Sequence, residues 1–115
     1  MATTFGKELR KLRIDKDENI HDMAKKLGIS ISYLSAIEAG SRNIPSDMVD
    51  NIVAKYHLNG ERSEILRQAE AESSKEIDID LSKVSAEQRK LIFALSRKIN
   101  DISDEQCLDI LNKLK

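Results

Sequence analysis

The sequence predicts an all-α protein with five helices, one short strand and a C-terminal helical hairpin, in that order. Apolar residues recur at spacings of three and four along most of the chain, which is the period of an amphipathic helix. Residues that favour helix N-caps, mainly Ser, Thr and Asn, precede these runs. Hydrophobic residues make up 40% of the 115 residues but aromatic residues only 3%, so we expect a lean core of aliphatic side chains.

The first helix is predicted to begin at a threonine cap and to end at about Ile14. Either Thr3 or Thr4 can supply the cap, because a hydroxyl oxygen accepts a hydrogen bond from a free backbone N–H of the first turn. The apolar face of this helix consists of Phe5, Leu9 and Leu12.

The second helix is predicted to begin at Asn19, which has the capping-box spacing to Asp22 and follows the polar segment DKDEN. Gly28 is placed to end this helix with a positive φ angle. The third helix is predicted between a cap at Ser30 and a stop at Gly40. The apolar positions of the two helices are Ile20, Met23, Ala24, Leu27, Leu34 and Ile37.

The fourth helix is predicted to start at Ser46, directly after Pro45, and the fifth to run from about Glu61 to Glu72. Both carry apolar residues at helical spacing, and the segment HLNG separates them. These apolar residues are Met48, Val49, Ile52, Val53 and Tyr56 in the fourth helix and Ile65, Leu66 and Ala69 in the fifth.

The character of the sequence changes at Ser73. In SSKEIDIDLSK, three apolar residues alternate with charged ones, which is the period of a half-buried strand. No other segment predicts a strand, so a partner strand would have to come from another subunit. Capping boxes led by Ser85 and Ser103 then start two further helices. We therefore divide the chain into residues 1–72 and residues 73–115.

Composition limits the classes of function. Charged residues are nearly balanced, for a net charge of −1, which argues against a basic coat but permits a local basic face. The one cysteine, Cys107, suits a reducing cytosol. The start of the sequence lacks the apolar core of a signal peptide, and no apolar run is long enough to cross a membrane. We therefore expect a soluble, cytoplasmic protein that has no contact with the membrane.

No group of residues in the sequence indicates catalysis or metal binding. His21 and His57 lack ligand-like companions, and the chain has no H-E-x-x-H or C-x-x-C spacing. No combination of Ser or Cys with His and Asp indicates a hydrolase. We expect no enzymatic activity, no metal ion and no cofactor.

The segment from Asp22 to Gly40 has the spacing of two helices joined by a tight turn. Ala24 lies where the helices would cross, since only a small side chain permits close approach, and Gly28 supplies the turn four residues later. Leu34 and Ile37 then anchor the second helix. This is a helix-turn-helix arrangement, whose second helix has an outer face that fits the major groove of DNA.

Over residues 5–70 the sequence resembles the Cro/CI-type (XRE-type) helix-turn-helix transcriptional regulators, which include many phage repressors. The matching segments are ELRKLR in the first helix, MAKKLGIS across the turn, SYLSAIEAGSRNIP in the recognition helix and its exit, and LNG before the fifth helix. The resemblance implies a compact, five-helix, lambda-repressor-like DNA-binding domain that represses or regulates transcription, usually as a dimer.

The resemblance also implies roles for individual residues. Positions that normally meet base edges are occupied by Ile31, Ser32, Ser35 and Ala36. Positions that usually touch the phosphate backbone are occupied by Asn19, Tyr33, Arg42 and Asn43. The family's helix-turn-helix scaffold corresponds to Ala24, Gly28, Leu34 and Ile37. Arg13 and Glu38 match an ion pair that braces the first helix against the recognition helix.

The sequence departs from the family pattern at three positions near the DNA. Ile20 replaces a glutamine that often donates a hydrogen bond to DNA, and Ile31 and Ala36 are apolar where long polar side chains are common. Readout would therefore depend on thymine methyl groups, serine hydroxyls and DNA shape. Two alternatives stay open: a solvated helix surface for the serines, and packing of Ile31 against the neighbouring helix.

The tail that begins at Lys75 has more apolar surface than it can bury alone. A symmetric homodimer would cover it and would set two recognition helices about 34 Å apart, which predicts a palindromic operator. Folding of the hairpin back onto its own fifth helix is the alternative. The strand residues of the predicted interface are Ile77, Ile79 and Leu81. Its helical residues are Leu91, Ile92, Leu95, Ile99, Leu108, Leu111 and Leu114.

Two functions of different classes are compatible with these features. The first is a dimeric, sequence-specific regulator, a repressor of phage or mobile-element type, that binds double-stranded DNA and associates with the nucleoid. The second is an antitoxin-like module that neutralises a partner protein and autoregulates its operon. In that case the tail would bind a second protein, such as a toxin or an antirepressor.

Overall fold

A computed structural model describes residues 2–115, and over this range the chain contains seven α-helices, two short 3₁₀ turns and no strand. It forms two compact units, of which the first ends at Asp78 and the second covers Ile79–Lys115. The first unit contains α1 (Thr4–Asp15), α2 (Ile20–Leu27), α3 (Ile31–Ala39), α4 (Met48–Tyr56) and α5 (Gly60–Ser73). The second contains a 3₁₀ turn (Leu81–Lys83), α6 (Ala86–Lys98), a second 3₁₀ turn (Ile99–Asp101) and α7 (Asp104–Lys113).

The caps of the first three helices lie where the sequence predicts them. The side chain of Thr3 accepts a hydrogen bond from the backbone N–H of Gly6 at the start of α1. Asn19 and Asp22 form the predicted capping box of α2, and Gly28 ends that helix with a φ angle of 71°. Because these signals act within one turn of the helix, local sequence is enough to predict them.

The predicted start of α4 at Ser46 is wrong by two residues. The backbone N–H of Met48 donates to the carbonyl of Pro45 over 3.1 Å, so residues 45–48 form a separate turn. The helix begins only at Met48, with Asp47 in the N-cap position, and the side chain of Asp47 accepts no capping hydrogen bond. The turn that follows the proline therefore delays the helix.

The core of the first unit is mainly aliphatic, as the composition indicates, and it draws on α1 to α5. Two of its buried residues, Ala24 of α2 and Ala69 of α5, are small. The largest fully buried side chains are Phe5, Leu9, Met23, Leu34, Ile37, Val49 and Ile52. This core fixes the position of α3 within the unit.

The predicted strand is not formed. Residues 76–80 are irregular, and the side chain of Asp80 accepts hydrogen bonds from the backbone and hydroxyl of Ser82 over 2.9 and 2.7 Å. These bonds start the 3₁₀ turn that contains Leu81, while Ile77 and Ile79 are exposed. An alternating pattern is a local signal, whereas a strand requires a partner for its backbone groups. Asp80 instead forms local hydrogen bonds with Ser82.

The second unit leaves most of its apolar side chains uncovered. Its helices begin with the predicted capping boxes, Ser85 with Gln88 and Ser103 with Gln106. None of residues 79–115 is buried, and Ile92 is half-buried. The exposed large apolar residues of the unit are Ile79, Leu91, Phe93, Leu95, Ile99, Leu108, Ile110, Leu111 and Leu114.

Within residues 2–115, the structure has no helix with the length and apolar character required to span a membrane.

Candidate nucleic-acid interface

Helices α2 and α3 pack through the residues that the sequence assigns to the scaffold. Ala24, Leu34 and Ile37 are all at most 2% exposed, so the two helices share one buried face. The backbone N–H of Ile29 donates to the carbonyl of Ala24 over 3.0 Å and closes the turn at Gly28. The small residue and the left-handed glycine together permit the tight helix-turn-helix angle.

An ion pair joins α1 to the C-terminal end of α3. The guanidinium of Arg13 donates two hydrogen bonds to the carboxylate of Glu38, over 2.6 and 2.9 Å. Both residues are buried, with exposed fractions of 7% and 8%. The bidentate geometry fixes the distance and the rotation between the two helices.

The backbone of Glu38 makes a second connection to α1. Its carbonyl accepts hydrogen bonds from the backbone N–H and the hydroxyl of Thr3, over 3.0 and 3.1 Å. A β-carbon at Gly6 would lie only 2.3 Å from the same carbonyl oxygen, so a glycine is needed at this contact. Gly6 is not among the residues assigned a role from the sequence, although a glycine inside a helix is a signal of close approach.

The outward side of α3 carries the four residues that the family resemblance assigns to base edges. Ile31, Ser32 and Ser35 are exposed, and Ala36 is half-buried. The structure therefore brings them together on one solvent-facing surface that offers two hydroxyls, one apolar side chain and one methyl group. Ser30, which caps the helix, places its hydroxyl 3.4 Å from that of Ser32. This surface carries no charge.

The loop after α3 holds Arg42 close to the helix. The carbonyl of Ala36 accepts hydrogen bonds from the backbone N–H groups of Ser41 and Arg42, over 3.0 and 3.2 Å. The guanidinium of Arg42 lies 5.3 Å from the ring centroid of Tyr33, within the range of a cation–π contact. Arg42 is exposed and Tyr33 is half-buried, so the pair presents a positive charge at the edge of α3.

The two asparagines predicted to contact phosphate are both exposed, and both have partners within the protein. The oxygen of the Asn19 side chain accepts a hydrogen bond from the backbone N–H of Asp22 over 2.9 Å, and its amide nitrogen is not used in this bond. The amide nitrogen of Asn43 donates to the backbone carbonyl of Glu76 over 3.2 Å. The sequence gives no sign of this second contact, because the residues are 33 positions apart.

A charged cluster that the sequence pattern does not reveal joins the segment before α2 to α4. Glu18 accepts hydrogen bonds from Lys26 and from the hydroxyl of Tyr56, both over 2.6 Å. These bonds lower the pKa of Glu18, whereas burial and the adjacent carboxylate raise the pKa of Tyr56. Lys26 also lies over the ring of Tyr56, 4.3 Å from its centroid. The charge of Lys26 is therefore paired with Glu18 within the protein.

The chemistry of the surface around α3 is that of hydrogen bonding and positive charge. Hydroxyl, amide and guanidinium groups can donate to phosphates and base edges, and the apolar groups can contact thymine methyl groups. Across residues 2–115, no three His, Cys, Asp or Glu side chains are arranged to hold a metal ion.

Comparison with known proteins identifies the part of the chain that contains α2 and α3. A family model described as a helix-turn-helix domain matches residues 6–70, more than half of the sequence. The matched range contains α2, α3 and α4 and most of α1 and α5. No match was found among curated proteins or among solved structures.

Proposed function

Because the chain belongs to the helix-turn-helix domain family, a family of DNA-binding regulators, we propose that it is a sequence-specific transcriptional regulator with α3 as its recognition helix. The observation that supports this most is the outward side of α3, where Ile31, Ser32 and Ser35 are exposed on a helix whose other side is buried. We assign DNA binding to residues 1–72 and dimerisation to the helices α6 and α7 of residues 73–115.

Base recognition is proposed to come from the small side chains of α3. Ser32 and Ser35 can each donate or accept one hydrogen bond at a base edge, whereas Ile31 and Ala36 can contact thymine methyl groups. None of these side chains can form the bidentate contacts of arginine or glutamine. Sequence preference should therefore depend in part on the shape of the DNA and on how easily it deforms.

Phosphate contacts are proposed to surround this reading surface. Arg42 would supply the charge, with its guanidinium held beside Tyr33. The free donors of Asn19, Tyr33 and Asn43 would add neutral hydrogen bonds to phosphate oxygens. With one cation among the four, affinity should depend strongly on dimerisation and on the geometry of the contacts.

A homodimer through α6 and α7 is proposed to couple two such surfaces. The exposed apolar residues of these helices, including Leu91, Leu108 and Leu111, are too numerous to be incidental on a small monomer. A two-fold axis would then require a palindromic operator, with half-sites read in successive major grooves. Binding at such an operator next to a promoter would repress transcription and would place the protein on the nucleoid.

Two substitutions test the proposed DNA surface. Arg42→Ala should weaken binding to every duplex and lower the slope of log K against log salt by about 0.9 for each phosphate that the arginine neutralises. Ser32→Ala should instead reduce the preference for the bound sequence over random DNA, by about fivefold for one neutral hydrogen bond of about 1 kcal/mol. Fluorescence anisotropy, with duplexes selected from a random library, measures both effects.

Arg10→Ala is the control for charge, because it removes the same group from an exposed position on α1. It should change neither the salt slope nor the preference. If Arg42→Ala and Ser32→Ala both behave like this control, α3 is not the recognition helix.

Replacement of one apolar residue on α7 tests the dimer. Wild-type protein should have the mass of a dimer at micromolar concentration, and Leu111→Glu should shift it toward the monomer because a charge would be buried at the interface. Asn112→Glu places the same charge at the next position, which is also exposed, and should leave the dimer intact. Light scattering coupled to size-exclusion chromatography gives the masses. A monomeric wild-type protein would contradict the dimer and favour a partner protein on this surface.

A further inference from the structure

The last residue of α5 and the five residues that follow it contact other parts of the first unit and reach the loop after α3. We call residues 73–78 the linker segment. The hydroxyl of Ser73 accepts a hydrogen bond from the backbone N–H of Phe5 over 3.0 Å, at the start of α1. Three residues later, the carbonyl of Glu76 accepts the hydrogen bond from Asn43 over 3.2 Å. The chain is therefore attached at two points before it leaves the unit.

Arg42 and Asn43 are adjacent in the sequence but are held by different parts of the protein. The backbone of Arg42 is bonded to α3 itself, through the carbonyl of Ala36, and its side chain lies beside Tyr33. The side chain of Asn43 is held instead by the linker segment. Arg42, Asn43 and Glu76 line the same surface cleft.

The contact with Glu76 leaves Asn43 able to bind DNA. A side-chain amide has two N–H donors, and the bond to the Glu76 carbonyl occupies one of them. An exposed asparagine that makes no such bond would sample several rotamers, and it would have to be ordered again on binding. The carbonyl thus orients the amide without using up both of its donors.

We propose that the backbone carbonyl of Glu76 positions the amide of Asn43 for a phosphate contact, so that the linker segment forms part of the DNA-binding surface. This inference rests on the proposed function, in which Asn43 is a phosphate-contacting residue. Any event that displaces the linker segment then changes DNA affinity, and DNA binding in turn stabilises the docked linker by the same factor.

Two insertions of equal length test the proposal in the full chain. Two glycines between Ser74 and Lys75 displace the Glu76 carbonyl from Asn43. The same glycines between Asp78 and Ile79 lengthen the connection between the units equally but leave the linker segment attached. Binding is measured by fluorescence anisotropy over a series of salt concentrations, with short random-sequence duplexes, because phosphate contacts do not depend on sequence.

The first insertion should weaken binding by about three- to tenfold, as expected for one oriented hydrogen bond, and the second should leave it unchanged. The salt slope should stay constant in both, since a neutral amide releases no counterion. Asn43→Ala should weaken the wild-type protein to the same extent and should have no further effect on the first insertion.

Four results would overturn the proposal: equal effects of the two insertions, additive effects of Asn43→Ala and the first insertion, a reduced salt slope, or a neutral Asn43→Ala. A reduced slope would mean that the insertion disturbs Arg42 instead. Thermal melting establishes that each variant is folded. If the first insertion unfolds the unit, the double variant Lys75→Gly with Glu76→Gly replaces it, because it loosens the same segment without a change in length. The same results are expected of this variant, and the same results would contradict the proposal.

Arg42→Ala separates failure of this inference from failure of the proposed function. If Arg42→Ala weakens binding but the first insertion does not, DNA binding stands and the role of the linker segment is wrong. If neither the wild-type protein nor any variant binds the duplexes, the proposed function itself is wrong.

Discussion

Replacement of Glu38 by alanine should lower the free energy of unfolding by about 3–5 kcal/mol, because it leaves the guanidinium of Arg13 buried without its carboxylate. Both side chains are nearly excluded from water, so solvent cannot replace the two missing hydrogen bonds. The decrease measures the desolvated charge left behind more than the net contribution of the pair. Denaturation in urea, followed by circular dichroism, gives the change.

Two further variants distinguish the effect of a buried ion pair from that of a solvent-exposed ion pair. Asp50→Ala breaks the exposed ion pair with Arg67 and should change stability by less than about 1 kcal/mol. Arg13→Met combined with Glu38→Leu removes both charges and should be less destabilising than Glu38→Ala alone. If Glu38→Ala and Asp50→Ala have similar effects, the Arg13–Glu38 pair does not brace α3.

Gly6→Ala should destabilise the first unit by about 1–3 kcal/mol or more, because α1 and α3 are too close to accept another carbon atom. The new β-carbon would lie 2.3 Å from the carbonyl oxygen of Glu38, which belongs to the backbone and cannot rotate away. Separation of the helices would also weaken the two hydrogen bonds from Thr3 to that carbonyl. The steric effect should exceed the gain in helix propensity, which is about 1 kcal/mol.

Gly60→Ala is the matched control, since Gly60 begins α5 and a β-carbon there would have no neighbour within 4 Å. This variant should be neutral or slightly more stable than the wild type. Melting temperatures of the two variants provide the comparison. If Gly6→Ala melts at the same temperature as Gly60→Ala, α1 and α3 can move apart without loss of packing.

Features determined within one helical turn could be predicted from the sequence. The capping box of Asn19 and the positive φ angle of Gly28 depend on neighbouring residues alone, so the arrangement of α2 and α3 follows from local pattern. The ion pair of Arg13 with Glu38 spans 25 positions, and only the resemblance to a family made it predictable. Local pattern failed at Ser46, where a turn after Pro45 intervenes before the helix begins.

Features that depend on distant residues could not be predicted in this way. The alternation of Ile77, Ile79 and Leu81 predicted the wrong structure, because a sequence pattern does not supply the partner that a strand needs. The bond between Asn43 and Glu76 has no local signal at all. On α6 and α7 the predicted apolar stripe omits Phe93 and Ile110, both of which the structure exposes. Helical spacing alone therefore identified only part of the apolar surface that these helices expose.

Glu38 separates the residues of α3 that stabilise the fold from those that can be substituted. Its carboxylate and its carbonyl both bind α1, so the residues that hold α3 in place lie at its C-terminal end and on its inner side. Ser32 and Ser35 lie on the opposite, exposed side and contribute little to stability. Under the proposed function, the preference for a DNA sequence could therefore change through substitutions at Ser32 and Ser35, in descendants of this sequence or in the laboratory, while the fold stays the same.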